Sequence, residues 1–150
     1  MIKSPIATIA KSPLFSGLSQ GEIEELAHHC EVMIFDNGFS FFSQGDPSED
    51  IYVVVEGQVR LTVKDTANAE QDITVIAAGD IIGEMGVFEN EPRSTSAYAL
   101  GETVLLKVPG DGFQAMLKAG HPAIHKMLQW SLKKAGERLR QLDHKLGLLF

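Results

Sequence analysis

Between Val32 and Val108 the chain alternates short apolar stretches with glycine-bearing breaks, and this pattern constrains the fold more than any other feature. Phe39-Ser40-Phe41-Phe42 follows Asn37-Gly38, and Ile51 to Val55 follows Gly45-Asp46-Pro47. Val59-Arg60-Leu61-Thr62-Val63 follows Glu56-Gly57, and Ile73 to Ile76 precedes Ala78-Gly79-Asp80. Ser94 to Ala99 and Thr103 to Val108 complete the series. Val59, Leu61 and Val63 alternate with polar Arg60 and Thr62, the period of a strand with one buried face. Asn-Gly and Glu-Gly pairs suit turns that need a positive φ. About eight short strands punctuated this way predict a sandwich, jelly roll or barrel.

The flanks read as helices. Ser19-Gln20-Gly21-Glu22 is a capping box, in which hydroxyl and carboxylate each satisfy a free backbone N–H. The helix it opens is expected to run to about His29, with His28 and His29 in its last turn. Asp111 is expected to cap a short helix carrying Phe113, Met116 and Leu117, with Gly120 as its stop. Pro122 suits the first turn of a longer helix. In it Leu128, Leu132, Ala135, Leu139, Leu142, Leu146 and Leu149 are spaced four and three apart in alternation. That heptad seam predicts a coiled-coil homodimer; the alternative is a stripe packed on the sheet. Gly136 beside the seam marks either a bend or a close approach.

Composition excludes several classes. With 150 residues, 44% hydrophobic and 22% charged, the chain is long enough for one buried core and reads as a single domain over residues 1–150. The barrel is expected at about 32–109 and the closing helices at about 111–149. No apolar run approaches the roughly 20 residues of a spanning helix, so no membrane association is expected. The N-terminus lacks the pattern of a signal peptide, and the lone Cys30 permits no intrachain disulfide. Together these point to a cytoplasmic location. Residues 1–121 hold 7 basic and 18 acidic residues, a net −11, whereas residues 122–150 hold 6 and 2, a net +4. An acidic body repels nucleic-acid phosphates.

No catalytic or metal constellation emerges. His28, His29 and Cys30 are adjacent and point in different directions, and His121 and His125 have no acidic neighbour. Ser94, Thr95 and Ser96 have no nearby base. The acidic stretch from Asp46 to Asp50 lacks calcium-loop spacing. Gly83-Glu84-Met85-Gly86 is followed by no Gly-Lys-Ser/Thr. The chain is expected not to be an enzyme and to need no cofactor.

The informative stretch runs from Gly79 to Ala97. An apolar strand leads into Gly83-Glu84-Met85-Gly86, and Pro92-Arg93-Ser94 follows. Gly83 and Glu84 are expected to open a short helix whose free N–H groups favour an anion. Arg93 adds a fixed charge and a forked donor set suited to phosphate oxygens. A carboxylate this near a phosphate must serve another group, and a sugar hydroxyl, a donor, is the natural partner for Glu84. The inferred ligand has one anionic phosphate, a ribose with a free hydroxyl and an apolar body.

Gly38, Gln44-Gly45-Asp46, Tyr52-Val53-Val54-Val55-Glu56-Gly57, Gly79-Asp80, Gly83-Glu84-Met85 and Pro92-Arg93-Ser94 occur in this order before a closing helix. In this the sequence, over roughly residues 12–145, resembles the cyclic-nucleotide-binding domain family. That family includes the catabolite activator protein and the regulatory subunits of cAMP-dependent protein kinase. The resemblance implies a double-stranded β-helix (jelly-roll) barrel, mainly β with flanking α, with an N-terminal helix and a long C-terminal helix. It implies that the ligand is cAMP or cGMP. Glu84 would bond the ribose 2′-hydroxyl. Arg93 would pair with the cyclic phosphate, helped by amides near Gly83 and by Ser94. Ile82, Met85 and Thr95 would lie at the pocket.

In the catabolite activator, hydroxylic residues midway along the closing helix contact the base. The corresponding positions here are Leu139 and Arg140. Leu139 could lie on the base, and Arg140 could stack on it or be a solvated charge. Serine directly after the arginine, where some cGMP-preferring members carry threonine, favours cAMP. The output would pass through the closing helix to an unidentified protein partner. The alternatives are a dimeric scaffold with a vestigial pocket, or the effector part of a transcription regulator. If 150 residues is the native length, there is no room for a helix-turn-helix after the closing helix and direct DNA binding is not expected; if the chain is a fragment, that possibility returns.

Overall fold

A computed structural model describes residues 4–147. It begins with helix α1 (Pro5–Lys11), a 3₁₀ turn (Pro13–Phe15) and helix α2 (Gln20–His28). Strands β1 (Glu31–Phe35), β2 (Ser40–Phe42), β3 (Asp50–Lys64), β4 (Glu70–Ala77) and β5 (Ile81–Ile82) follow. Helix α3 (Glu84–Glu89), strand β6 (Ser96–Pro109), helix α4 (Gly110–Ala119) and helix α5 (Pro122–Leu146) complete the chain. The six strands form an antiparallel sheet ordered β1-β6-β3-β4, with β2 paired to β6 and β5 to β3. This is the jelly-roll architecture with flanking helices expected from the sequence.

The strands are fewer and longer than the eight expected. The breaks at Glu56-Gly57 and Gly101 do not end strands. β3 runs through Gly57 as one 15-residue strand, with register shifts against β6 between Val54 and Glu56 and between Glu56 and Gln58. The positive φ of Gly57 (83°) makes a bulge, which bends the strand instead of reversing it. β3 and β6 then pair from Asp50–Pro109 to Thr62–Ser96 and form the spine of the barrel.

That spine is buried on both sides. Ile51 and Val53 face a cluster that includes Ile9, Phe15, Leu26, Phe113, Met116 and Met127, supplied by the helices. Tyr52 and Val54 face a second cluster inside the barrel with Phe42, Val59, Ile76, Ile82 and Leu105. Alternate side chains point to opposite faces, so two cores produce one continuous apolar run.

The flanking helices follow local signals. At α2 both capping-box bonds are made: Glu22 N–H donates to Ser19 Oγ (3.2 Å), and Ser19 N–H donates to Glu22 Oε1 (2.8 Å). Asp111 does not cap α4. It lies in the first turn, behind a Pro109 N-cap with no side-chain bond. Gly120 ends α4 with φ 67° as expected. The cap of α5 was unforeseen. Buried His121 accepts from Ala123 N–H through Nδ1 (3.0 Å), while its Nε2 lies 3.1 Å from the Glu22 carbonyl. One imidazole therefore starts α5 and ties it to α2.

Past Ser131, α5 leaves its leucines uncovered. Leu132 is 76% exposed, Leu139 50% and Leu146 63%, so the stripe does not pack on the sheet. Leu149 lies outside the described residues. α5 is continuous through Gly136, where the guanidinium of Arg140 lies close enough to fill the space of a side chain.

The bulge makes a stability prediction. A Cβ on Gly57 would run into the Glu102 carbonyl oxygen, whereas one on Gly101, also at positive φ, meets nothing. Gly101→Ala should cost about 1–2 kcal/mol, and Gly57→Ala about 1–3 kcal/mol more, from left-handed strain plus overpacking. Urea denaturation of the two variants checks the ordering.

Candidate functional site

β5 pairs with β3 at Tyr52–Ile82 and Val53–Ile81, which brings the start of α3 against the middle of the barrel. Gly83 turns the chain there with φ 78°, and Glu84 is the first residue of α3. The loop before β6 is pinned by its backbone: Arg93 N–H donates to the Asp46 carbonyl (2.7 Å), and Gly45 N–H donates to the Arg93 carbonyl (2.8 Å). These two segments face each other across a cavity of about 280 Å³. That lies near the low end of the roughly 300–1,000 Å³ usual for small-molecule sites.

Arg93 is 6% exposed. Its Nη1 donates to the Gly83 carbonyl (2.8 Å), its Nη2 donates to the Asp50 carbonyl (2.6 Å), and its guanidinium carbon lies 4.3 Å from the Phe42 ring centre. Its Nε is buried with no partner among the described residues. Burial pushes the arginine's pKa down, while Tyr52, Asp50, Asp46 and Glu49 pull it back up. The guanidinium is so close to Gly83 that a Cβ there would run into Nη1. Gly83 is thus needed both for its φ and for room.

Glu84 is 5% exposed. Burial pushes its carboxyl above the usual range, against the lowering effects of its own backbone N–H, of Arg138 and of Arg93. No ion pair joins Glu84 to either arginine among the described residues. The site therefore holds an acid and a base, both buried and neither neutralised by the other. An anion and a hydrogen-bond donor carried by one ligand would satisfy both.

Seven of the expected ligand residues line this cavity: Ile82, Gly83, Glu84, Met85, Arg93, Ser94 and Thr95. Phe42, Leu61, Ile73 and Ile76 supply apolar wall, with Ser48 and Thr74 among them. Leu139 and Arg140 do not line it. Both are exposed, and Arg140 lies back along its own helix beside Gly136. The residue that α5 turns to the cavity is Arg138. The signal for it was present in the sequence. Ile124, Met127, Ser131, Lys134 and Arg138 continue one face at three-and-four spacing. Leu139 and Arg140 are rotated away from that face by about 100° and 200°.

The profile of the family described as "Cyclic nucleotide-binding domain" matches residues 33–119, which include the whole segment from Gly79 to Ala97. This chain belongs to that family. Like the cyclic nucleotide-binding domains it resembles, it is similar to a "Cyclic AMP receptor protein" of Thermus thermophilus. The two are 29% identical over 138 residues, covering 92% of this chain and 62% of the relative. It superposes on the crystal structure of a Thermus thermophilus catabolite activator protein with a TM-score of 0.73 and 29% identity, covering 91% of this chain and 62% of that one. It also superposes on the N-terminal domain of a transcriptional regulator from Streptomyces coelicolor (TM-score 0.67, 27% identity, 95% and 96% coverage). The chain thus spans about three fifths of the length of the curated relatives it matches. Among the described residues no cluster of metal-ligating side chains occurs, and no helix is long and apolar enough to cross a membrane.

The buried acid carries a pH signature. A carboxyl whose pKa is raised by folding binds its proton more tightly in the folded state. Its favourable contribution is complete below the ordinary carboxylate range and is lost as pH rises through the raised value. Glu84→Gln should therefore raise the stability of the ligand-free protein at neutral pH relative to mildly acidic pH. Denaturation midpoints measured across that range check this; parallel curves for the two proteins would contradict it.

Proposed function

We propose that this chain is a non-catalytic regulatory module that holds a cyclic nucleotide in the cavity between α3 and the β6 loop. The observation that carries this reading is the pair of buried, mutually unpaired charges, Glu84 and Arg93, on the wall of one cavity. Arg93 takes the cyclic phosphate, helped by the amides at Gly83 and the hydroxyl of Ser94. Glu84 accepts from the ribose 2′-hydroxyl. Ile82, Met85 and Thr95, with Leu61 and Ile76, enclose the sugar and base. Serine rather than threonine after the arginine favours cAMP over cGMP, and a relative that is 29% identical is described as a cyclic AMP receptor.

The module works as a homodimer. Leu128, Leu132, Leu139, Leu142 and Leu146 are all at least 39% exposed on α5, and a second copy of the helix would cover them. A ligand beside α5 then biases that helix by its differential affinity for two arrangements. We place it in the cytoplasm, in keeping with a single cysteine, Cys30, that permits no intrachain disulfide. The acidic body is unsuited to direct DNA contact. A second reading, a dimeric scaffold with a vestigial pocket, is favoured by the same leucine stripe, which is complete without any ligand.

Calorimetry separates the two. The module should give a micromolar or tighter cAMP isotherm, weakened at least about 30-fold in Arg93→Ala, because removing one partner of a buried charge pair costs about 2–5 kcal/mol. A flat titration would favour the scaffold. Sedimentation should give a mass near twice the 16.4 kDa of the chain, falling to the chain mass when Leu132 and Leu139 are both changed to Glu.

A further inference from the structure

We propose that Ser48, on the loop between β2 and β3, is a further ligand-binding residue: its hydroxyl donates to an exocyclic oxygen of the cyclic phosphate, beside Arg93. This deepens the reading of Glu84 and Arg93 given above and rests on it.

Three observations carry it. The first is a pair of orphan donors. Among the described residues, four buried side-chain N or O atoms have no hydrogen-bond partner, and two of them, Ser48 Oγ and Arg93 Nε, belong to residues that line the ligand cavity. A buried hydroxyl left unpaired weakens the empty fold, and an arriving acceptor removes that penalty. A phosphate, with several acceptor oxygens on one centre, answers both donors at once.

The second is the way the loop divides its side chains. Asp46, Pro47, Glu49 and Asp50 line a separate cleft of about 190 Å³, which shares Phe42 and Arg93 with the ligand cavity. Of residues 46–50, Ser48 is the one that lines the ligand cavity itself. The loop therefore gives its carboxylates, which would repel a phosphate, to the outer cleft and its neutral donor to the anion site.

The third is that the hydroxyl is held in place. Arg93 bonds the Asp46 carbonyl through its N–H (2.7 Å) and the Asp50 carbonyl through Nη2 (2.6 Å), and Gly110 N–H donates to the Glu49 carbonyl (2.9 Å). Ser48 lies between these anchors and against α3, where a Cβ on Gly86 would run into its Oγ. The residue that receives the anion thus also fixes the loop that brings the second donor. On binding, Oγ turns from Gly86 to the phosphate by rotation about χ1, from one staggered position to another, with the backbone unmoved.

The experiment is calorimetric titration of the full chain and of Ser48→Ala with cAMP and with its two phosphorothioate diastereomers, in which sulfur replaces one or the other exocyclic oxygen. Urea denaturation of both proteins without ligand accompanies it. Ser48→Ala should weaken cAMP binding about 10-fold, through loss of one bond to a charged acceptor. Sulfur is a weak acceptor. With the diastereomer whose sulfur faces Ser48 the same change should therefore cost less than about 2-fold, and with the other still about 10-fold, the signature of a direct contact. The urea midpoint of Ser48→Ala should equal or exceed that of the unaltered chain, because the hydroxyl removed had no partner in the empty protein. A residue with only a packing role would lower it.

Undiminished cAMP affinity in Ser48→Ala, with Glu84 and Arg93 still required, would overturn this proposal alone. Equal losses with both diastereomers, or a lowered urea midpoint, would overturn it too, as marks of a structural role. Absence of cAMP binding by the unaltered chain, or binding indifferent to Glu84 and Arg93, would overturn the reading of the site itself and the role of Ser48 with it.

Discussion

The guanidinium of Arg93 joins segments far apart in the chain: the Gly83 carbonyl at the mouth of α3, the Asp50 carbonyl at the start of β3, and the Phe42 ring of β2. The rest of the site hangs on this arrangement. A buried cation is tolerable because two carbonyl dipoles, an aromatic face and the carboxylates of Asp46, Glu49 and Asp50 surround it. The same contacts aim it at the cavity. Among the described residues its Nε has no partner, a cost of about 1–3 kcal/mol for an unsatisfied donor. An arriving phosphate can reduce that cost by redistributing the bonds of the fork. On the proposed reading, Arg93 is at once a strut of the fold and the anion receptor.

Glu84 makes the complementary sacrifice. A carboxylate at 5% exposure, with no ion-pair partner among the described residues, is unfavourable for folding and, on the proposed reading, favourable for recognition. The fold supports it with a backbone N–H and the distant attraction of two arginines, and leaves its remaining capacity for a hydrogen-bond donor. Desolvation that weakens the empty domain is what makes a single sugar hydroxyl worth recognising. The acid and base stay apart because each is held by its own segment, Glu84 by α3 and Arg93 by the carbonyls of Gly83 and Asp50.

Much of this was legible in the sequence, for identifiable reasons. The Gly83-Glu84 to Arg93-Ser94 segment could be read because its chemistry is local: the turn residue, the helix start and the charged side chains lie within a dozen positions. The capping box at Ser19 and the stop at Gly120 are local in the same way. What escaped was set by tertiary pairing. Gly57 and Gly101 resemble turns in sequence, but β3 and β6 recruit each other over their full length and convert them to irregularities within strands. His121 looked like a stray histidine because its partner, the Glu22 carbonyl, is 99 positions away. Arg138 was missed by a rotation. A helix position carried over from relatives pointed to Leu139 and Arg140, whereas the face defined by Ile124, Met127 and Ser131 continues to Arg138.

The central claim is that the Glu84 carboxylate holds a ribose hydroxyl while Arg93 holds the cyclic phosphate. It is tested most directly by comparing cAMP with 2′-deoxy-cAMP on the unaltered chain and on Glu84→Ala. Loss of one hydrogen bond to a charged acceptor, about 1.5–3 kcal/mol, should weaken binding of the deoxy ligand to the unaltered chain roughly 10- to 100-fold. On Glu84→Ala the two ligands should bind alike. An undiminished affinity of the unaltered chain for the deoxy ligand, or a preference for cAMP that survives in Glu84→Ala, would contradict the account.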